Sequence, residues 1–249
     1  MTVGRLIARQ VRYENTAFWR NPAAAFFTFV FPLIFMVLFN MILGGSNGME
    51  NAAQFYTPAI VCFSIVNACY TSIAMTVSLA RDDGILKHIR GTPLPGWAYL
   101  VARMLQAVIV AVLLVVIVAA FGRVFYDVPL PIGQLPLLAV ILLVSGASFC
   151  ALGLATAGLV PNAAAAPAIV NAIVLPLYFI SDVFIRLDDS SILARIGELF
   201  PIRHLVNTLQ AVWNPVLRPF DPIDLVWIGA WGALGLIVAL RTFTWEPRT

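Results

Sequence analysis

Long apolar runs broken by short polar stretches organise this chain. Runs of about 20 apolar residues, the length that a bilayer core demands, predict spans near 23–43, 55–79, 97–121, 135–157, 165–185 and 223–241. Residues 3–20 carry a helical pattern instead. At about 100° per residue, Val3, Leu6, Ile7, Val11, Tyr13, Ala17 and Phe18 cover one arc, and Arg5, Arg9, Arg12 and Arg20 cover the opposite one. Such a helix is expected to lie flat on the membrane surface. Glu14 falls inside the apolar arc, where a carboxylate either snorkels to the interface or meets a cation, Arg81 or another cytoplasmic one. The first run ends in Gly44-Gly45-Ser46-Asn47-Gly48 without a small-residue cleavage pattern, so it is expected to stay as a span.

Two polar interruptions have patterns of their own. Between the second and third runs, Asp82 and Asp83 suit a helix N-terminus, Lys87 and Arg90 suit a last turn, and Gly91 followed by Pro93 stops the helix, giving about two turns over 82–91. Ile85, Leu86 and Ile89 share one side of it and Lys87 and Arg90 point away. That is a plug for a groove on a soluble partner, or else an ordinary basic loop whose charges fix topology. Between the fifth and sixth runs, over 190–213, Ser190 can cap a helix to about Phe200, Pro201 breaks it, and a second helix follows from about Ile202 to Trp213. Both are too short to cross, so they are expected to be re-entrant or flat on the outer leaflet.

Composition sharpens the class. Of 249 residues, 61% are hydrophobic and 11% charged, against about a quarter charged in soluble domains, so the chain reads as an all-α integral membrane protein. The small net charge of +3 is spread over juxtamembrane segments and forms no stripe among exposed aromatics, which points away from nucleic acid. Basic residues gather before the first span, after the second and in the tail, so both termini and the 80–97 loop are expected in the cytoplasm of a plasma-membrane protein. Four arginines between Arg186 and Pro222 argue the other way, diluted there by four acids. Cys62, Cys69 and Cys150 all fall within apolar runs and read as small packing residues.

Polar residues inside the spans supply the remaining chemistry. Ser64, Asn67, Thr71 and Ser78 fall within about 60° of one another on a helical wheel, a stripe that either lines a pathway or glues helices together. Asn171, Tyr178 and Asp182 line up similarly in the fifth span. An acid at that depth is a candidate for cargo contact, or for a local pair with Arg186 four residues on. The sequence shows no phosphate-binding glycine loop, no metal-binding histidine pair and no nucleophile elbow, so neither ATP hydrolysis nor a catalytic or metal centre is expected of this chain. Asp82-Asp83-Gly84 looks like part of a lipid-headgroup transferase motif, but the next span has no acid to complete a metal pair.

The run Gly84-Ile85-Leu86-Lys87-His88-Ile89-Arg90-Gly91-Thr92-Pro93-Leu94-Pro95, leading into a span that opens at Trp97, resembles the coupling helix of ABC transporter permeases of the type 2 exporter family. Leu175-Pro176-Leu177-Tyr178-Phe179-Ile180-Ser181 and Pro201-Ile202-Arg203-His204 extend the resemblance over nearly the whole chain. One departure is Asp182, where such permeases usually carry glycine. The resemblance implies six spans, an interface helix at 3–20, and a re-entrant pair roofing the pathway. It also implies two copies of an ABC ATP-binding subunit that hold ATP and Mg, docked at Ile85, Leu86, Lys87, Ile89, Arg90, Glu14 and Arg81. A second permease copy, identical or homologous, would complete the path through the lipid. The cargo suggested by the polar and aliphatic lining is a small amphipathic or hydrophobic molecule such as a drug, antibiotic or lipid-like product. A membrane anchor for a signalling ATPase and a lipid-modifying membrane enzyme are the alternatives.

Overall fold

A computed structural model describes residues 3–43, 52–91, 94–185, 191–216 and 218–245, with the side chains of Leu43 and Arg90 left aside. Its regular structure is entirely helical among the described residues. The order is α1 (Val3–Trp19), α2 (Pro22–Leu43), α3 (Ala52–Val66), a π turn (Asn67–Thr71), α4 (Ser72–Asp82), α5 (Ile85–Arg90), α6 (Gly96–Tyr126), α7 (Leu135–Leu159), α8 (Ala166–Ile180), α9 (Ile192–Gly197), α10 (Pro201–Trp213) and α11 (Pro222–Thr242). Helix α3, the π turn and α4 form one continuous rod from Ala52 to Asp82.

Five of these units are long and apolar enough to cross a membrane: α2, the α3–α4 rod, α6, α7 with the turn ahead of it, and α11. The expected fifth span, 165–185, differs. Helix α8 has 15 residues, about 22 Å at 1.5 Å per residue, short of a hydrocarbon core of about 30 Å. It stops because the chain turns at Ser181 and Asp182, where Asp182 adopts a φ of 59°. Left-handed backbone suits glycine best and tolerates aspartate better than most residues, which accounts for the glycine expected there by resemblance.

The 82–91 segment is also built differently from the sequence expectation. The α3–α4 rod continues through Asp82, so the acids close a helix rather than opening one. Gly84, with φ of 72°, breaks the path, and only Ile85–Arg90 forms the short helix that follows. The geometry needs glycine here because a side chain disfavours that φ.

Small residues set the closest helix pair. Gly232 and Gly235 face α7: a Cβ on Gly235 would sit 2.9 Å from the Leu152 backbone nitrogen, and one on Gly232 would run into Ser148. Helices pack this way where no water drives them together and backbone approach supplies the contact.

In the 190–213 segment the observed cap is Ser191, whose Oγ accepts from the Ala194 N–H at 3.1 Å, while Ser190 lies outside the described residues. Helix α9 ends at Gly197 and exposes Ile192, Leu193 and Ile196. Helix α10 is buried nearly all round, with Ile202, Leu205, Val206, Leu209 and Val212 in the core against α3 and α11. It therefore lies within the bundle and not flat upon it.

Candidate functional site

Helix α5 projects between the ends of α4 and α6. Of the apolar ridge read from the sequence, Leu86 is 0% exposed and belongs to the bundle's own core, and Ile89 packs half-buried against the same cluster. Ile85 stays 47% exposed, and Lys87 and His88 are exposed with it. Leu86 is thus corrected from an outward anchor to an inward one. A helical wheel establishes which residues share a side, but the bundle at the ends of α4 and α6 was the nearer apolar surface. Arg90's side chain lies outside the described residues.

Arg81 and Glu14, expected on the docking face, both turn inward. The Arg81 guanidinium, 1% exposed, donates to the carbonyls of Ala157 at 2.9 Å, Val160 at 3.0 Å and Pro161 at 3.4 Å. Its Nε donates to Asp82 at 3.2 Å, and the other Asp82 oxygen accepts from the Ala163 N–H. A cation at the C-terminal end of α7 meets the negative end of the helix and carbonyls that have no intrahelical partner. Arg81 and Asp82 thereby clamp the connection between α7 and α8 to the base of α5. Glu14 pairs with Arg103 of α6 and accepts from Gln10 Nε2 at 2.9 Å, so α1 is tied to α6. The partner is Arg103 and not Arg81. Sequence reasoning missed Arg103, although the signal was present: it is the lone charge of the expected span 97–121, as Glu14 is the lone acid of the α1 arc.

A cavity of about 570 Å³ opens among α2, the π turn, α6 and α8, with Phe18 of α1 at its edge. Five of the expected pathway residues line it together: Ser64, Asn67, Thr71, Asn171 and Tyr178. Gln106 of α6 and a set of phenylalanines, Phe31, Phe35, Phe63 and Phe184 among them, complete the wall. Among the described residues, none that lines it is an aspartate, glutamate, lysine, arginine or histidine.

Ser78 and Asp182 are not among them. The π turn adds one residue to a turn, which shifts everything beyond it by about 100° and takes Ser78 off the stripe. Ser78 is buried and donates to the Ala74 carbonyl at 2.8 Å. Asp182 is paired with Arg203 of α10. Its expected local partner, Arg186, lies outside the described residues. Beside this pair, the His204 ring contacts Asp224 of α11 through Nδ1 at 2.6 Å and the Glu198 carbonyl through Nε2 at 2.9 Å, and stacks on Trp227 with centroids 5.5 Å apart. Helix α10 is thus pinned to the end of α8 and to α11. Among the described residues no group of three or more His, Cys, Asp or Glu side chains could hold a metal.

Comparison with known proteins adds the family. Residues 5–213 match the profile of the ABC-2 type transporter. YbhR of Escherichia coli (strain K12), a multidrug ABC transporter permease by name, is 23% identical over 181 residues, 72% of this chain and 48% of YbhR. YvfS of Bacillus subtilis (strain 168), a transport permease by name, is 23% identical over 126 residues, 50% of this chain and 51% of YvfS. The chain spans about half the length of these curated relatives.

Proposed function

Because the chain belongs to the ABC-2 type transporter family, we propose that it is the membrane-spanning permease subunit of an ATP-binding cassette exporter. ATP, with its Mg, is bound and hydrolysed on two copies of a separate ATP-binding subunit. A second permease copy, identical or homologous, completes the path. If α8 with the turn after it is taken as a crossing, the six crossings put both termini on one side, and the basic residues of the N-terminal segment, the loop after the second span and the tail favour the cytoplasmic side of the inner membrane. The cargo is a small amphipathic or hydrophobic molecule. The uncharged aromatic cavity supports that reading, as does the multidrug name of YbhR.

The observation that carries the proposal is the construction of α5. Its tip offers Ile85, Lys87 and His88 to a partner, while Leu86 locks its base into the bundle. Arg81–Asp82 and Glu14–Arg103 tie the same end of the molecule to the α7–α8 connection and to α1. A push on α5 by closing ATP-binding subunits is then carried by α4 and α6 to the cavity wall, as one packed element shifting against others.

The test is capture of the cognate ATP-binding subunit. Covering the exposed half of Ile85 contributes about 1 kcal/mol, from roughly 1.5–3 kcal/mol for a whole aliphatic side chain. An aspartate in its place also brings an unpaired charge into the contact. Ile85→Asp with Lys87→Glu is therefore expected to weaken capture by at least about tenfold, with insertion and thermal stability unchanged. Full capture and export by that variant would remove α5 as the docking element.

A further inference from the structure

We infer that the cavity selects an uncharged amphiphile, and that the hydroxyls of Tyr178 and Thr71 are the groups that select it; this rests on the permease reading above. Tyr178 is 1% exposed, lines the cavity, and sits between Phe63 and Phe184 with centroids 5.0 and 5.3 Å away. Its hydroxyl is buried and has no hydrogen-bond partner among the described residues. Buried polar groups are nearly always satisfied, so a phenol in this condition on a cavity-lining residue has a donor left for a molecule that enters.

Thr71 supplies the second group, and the backbone explains it. Thr57, Ser64, Thr76 and Ser78 on the same rod each donate to the carbonyl four residues earlier, at 2.7, 2.8, 2.6 and 2.8 Å. For Thr71 that carbonyl belongs to Asn67, and the π turn gives it to the Ser72 N–H. The Thr71 Oγ1 is buried with no partner among the described residues, and Thr71 lines the same cavity as Tyr178. The π turn thus leaves one hydroxyl of the rod, on a residue that lines the cavity, without the carbonyl that its neighbours use.

Charge settles the class. Among the described residues the wall offers amides, hydroxyls and phenyl rings but no counter-ion, and the nearby Asp182–Arg203 pair is outside the wall and mutually engaged. An ion entering such a cavity loses its hydration without a partner, whereas a neutral molecule with carbonyl or ether acceptors gains two donors. A volume of about 570 Å³ suits a drug-sized body.

The probes are radiolabelled progesterone, apolar and uncharged with carbonyl acceptors at both ends, and tetraphenylphosphonium, an apolar cation, bound to the purified full-length chain without any ATP-binding subunit. Progesterone is expected to bind saturably and more tightly than tetraphenylphosphonium. Tyr178→Phe and Thr71→Val should each weaken it by roughly five- to tenfold. The same two variants should melt, ligand-free, at or above the wild-type Tm, because no protein hydrogen bond is lost. Asn67→Asp should reverse the preference toward the cation, and Ser78→Ala, off the wall, should change neither. The inference is overturned if progesterone does not saturate, if the cation binds the wild type more tightly, if both hydroxyl deletions bind like the wild type, or if those deletions lower the ligand-free Tm as loss of a structural hydrogen bond would. Failure of the permease reading is read elsewhere, in capture of the ATP-binding subunit, and leaves these binding ratios standing.

Discussion

Replacing Arg81 by methionine keeps an unbranched side chain in a buried position and removes every donor from it. The carbonyls of Ala157 and Val160, at 2.9 and 3.0 Å, lose a charged partner, and Asp82 is left with the Ala163 N–H alone. Hydrogen bonds to charged groups contribute about 1.5–3 kcal/mol each, and the 3.4 Å contact to Pro161 adds little. The contributions share one guanidinium and do not add in full. A net loss of about 3–5 kcal/mol, the usual cost of breaking a buried charge pair from one side, is the expected result. For a chain of 249 residues this corresponds to a fall in Tm of roughly 6–20 °C, at about 2–4 °C per kcal/mol. Arg81→Lys should fall between, because an ammonium reaches one carbonyl well but cannot bridge two with a planar fork. The assay is thermal unfolding of the purified chain in detergent, repeated for Arg81→Met in an Asp82→Asn background, where the two losses should be less than additive. A methionine variant within about 2 °C of wild type, or lysine and methionine variants that melt together, would refute the clamp.

Two other pairs make separate predictions. Glu14→Gln leaves Arg103 without its counter-charge and should loosen α1, seen as several-fold faster proteolysis within 3–20 at nearly unchanged Tm, with protection returning in the Glu14→Gln/Arg103→Gln double variant; equal cleavage rates would show that the pair does not hold α1. Asp182→Asn keeps a residue that tolerates a φ of 59° and removes only the charge, so Arg203, 1% exposed, loses that counter-charge at a cost of up to about 3–5 kcal/mol that Arg203→Met in the same chain should largely restore. A single variant that melts like the wild type would mean the pair contributes nothing to stability.

What the sequence made legible was position, and what it concealed was direction. Runs of apolar residues located α2, α6, α7 and α11 to within a few residues, because hydrophobic length is a local property. The short helix at Ile85–Arg90 was found in the right loop, yet Leu86 faces the opposite way from the expectation, since the wheel has no information about where neighbouring helices lie. Ser78 left the stripe because a π turn has no signature in hydrophobic periodicity. Apart from its neighbour Asp82, the partners of Arg81 lie 76 to 80 residues away and are backbone carbonyls, which every residue carries and no side-chain pattern marks. Arg203 was one of the arginines weighing against the topology. In the fold it is a buried, paired residue, and a rule that counts solvent-facing charge has no reason to include it.

That pairing also bears on how the molecule behaves in an energised membrane. A potential of 100 mV acts on a single elementary charge carried across it with about 2.3 kcal/mol, enough to bias a small conformational equilibrium. Arg203 and Asp182 carry opposite charges side by side, so moving together they present almost no net charge for that field to pull. Moving apart, each would feel the field and lose the other's opposite charge at once. Helix α10 and the end of α8 are therefore expected to travel as one electrically neutral body, leaving the membrane voltage little hold on this end of the bundle.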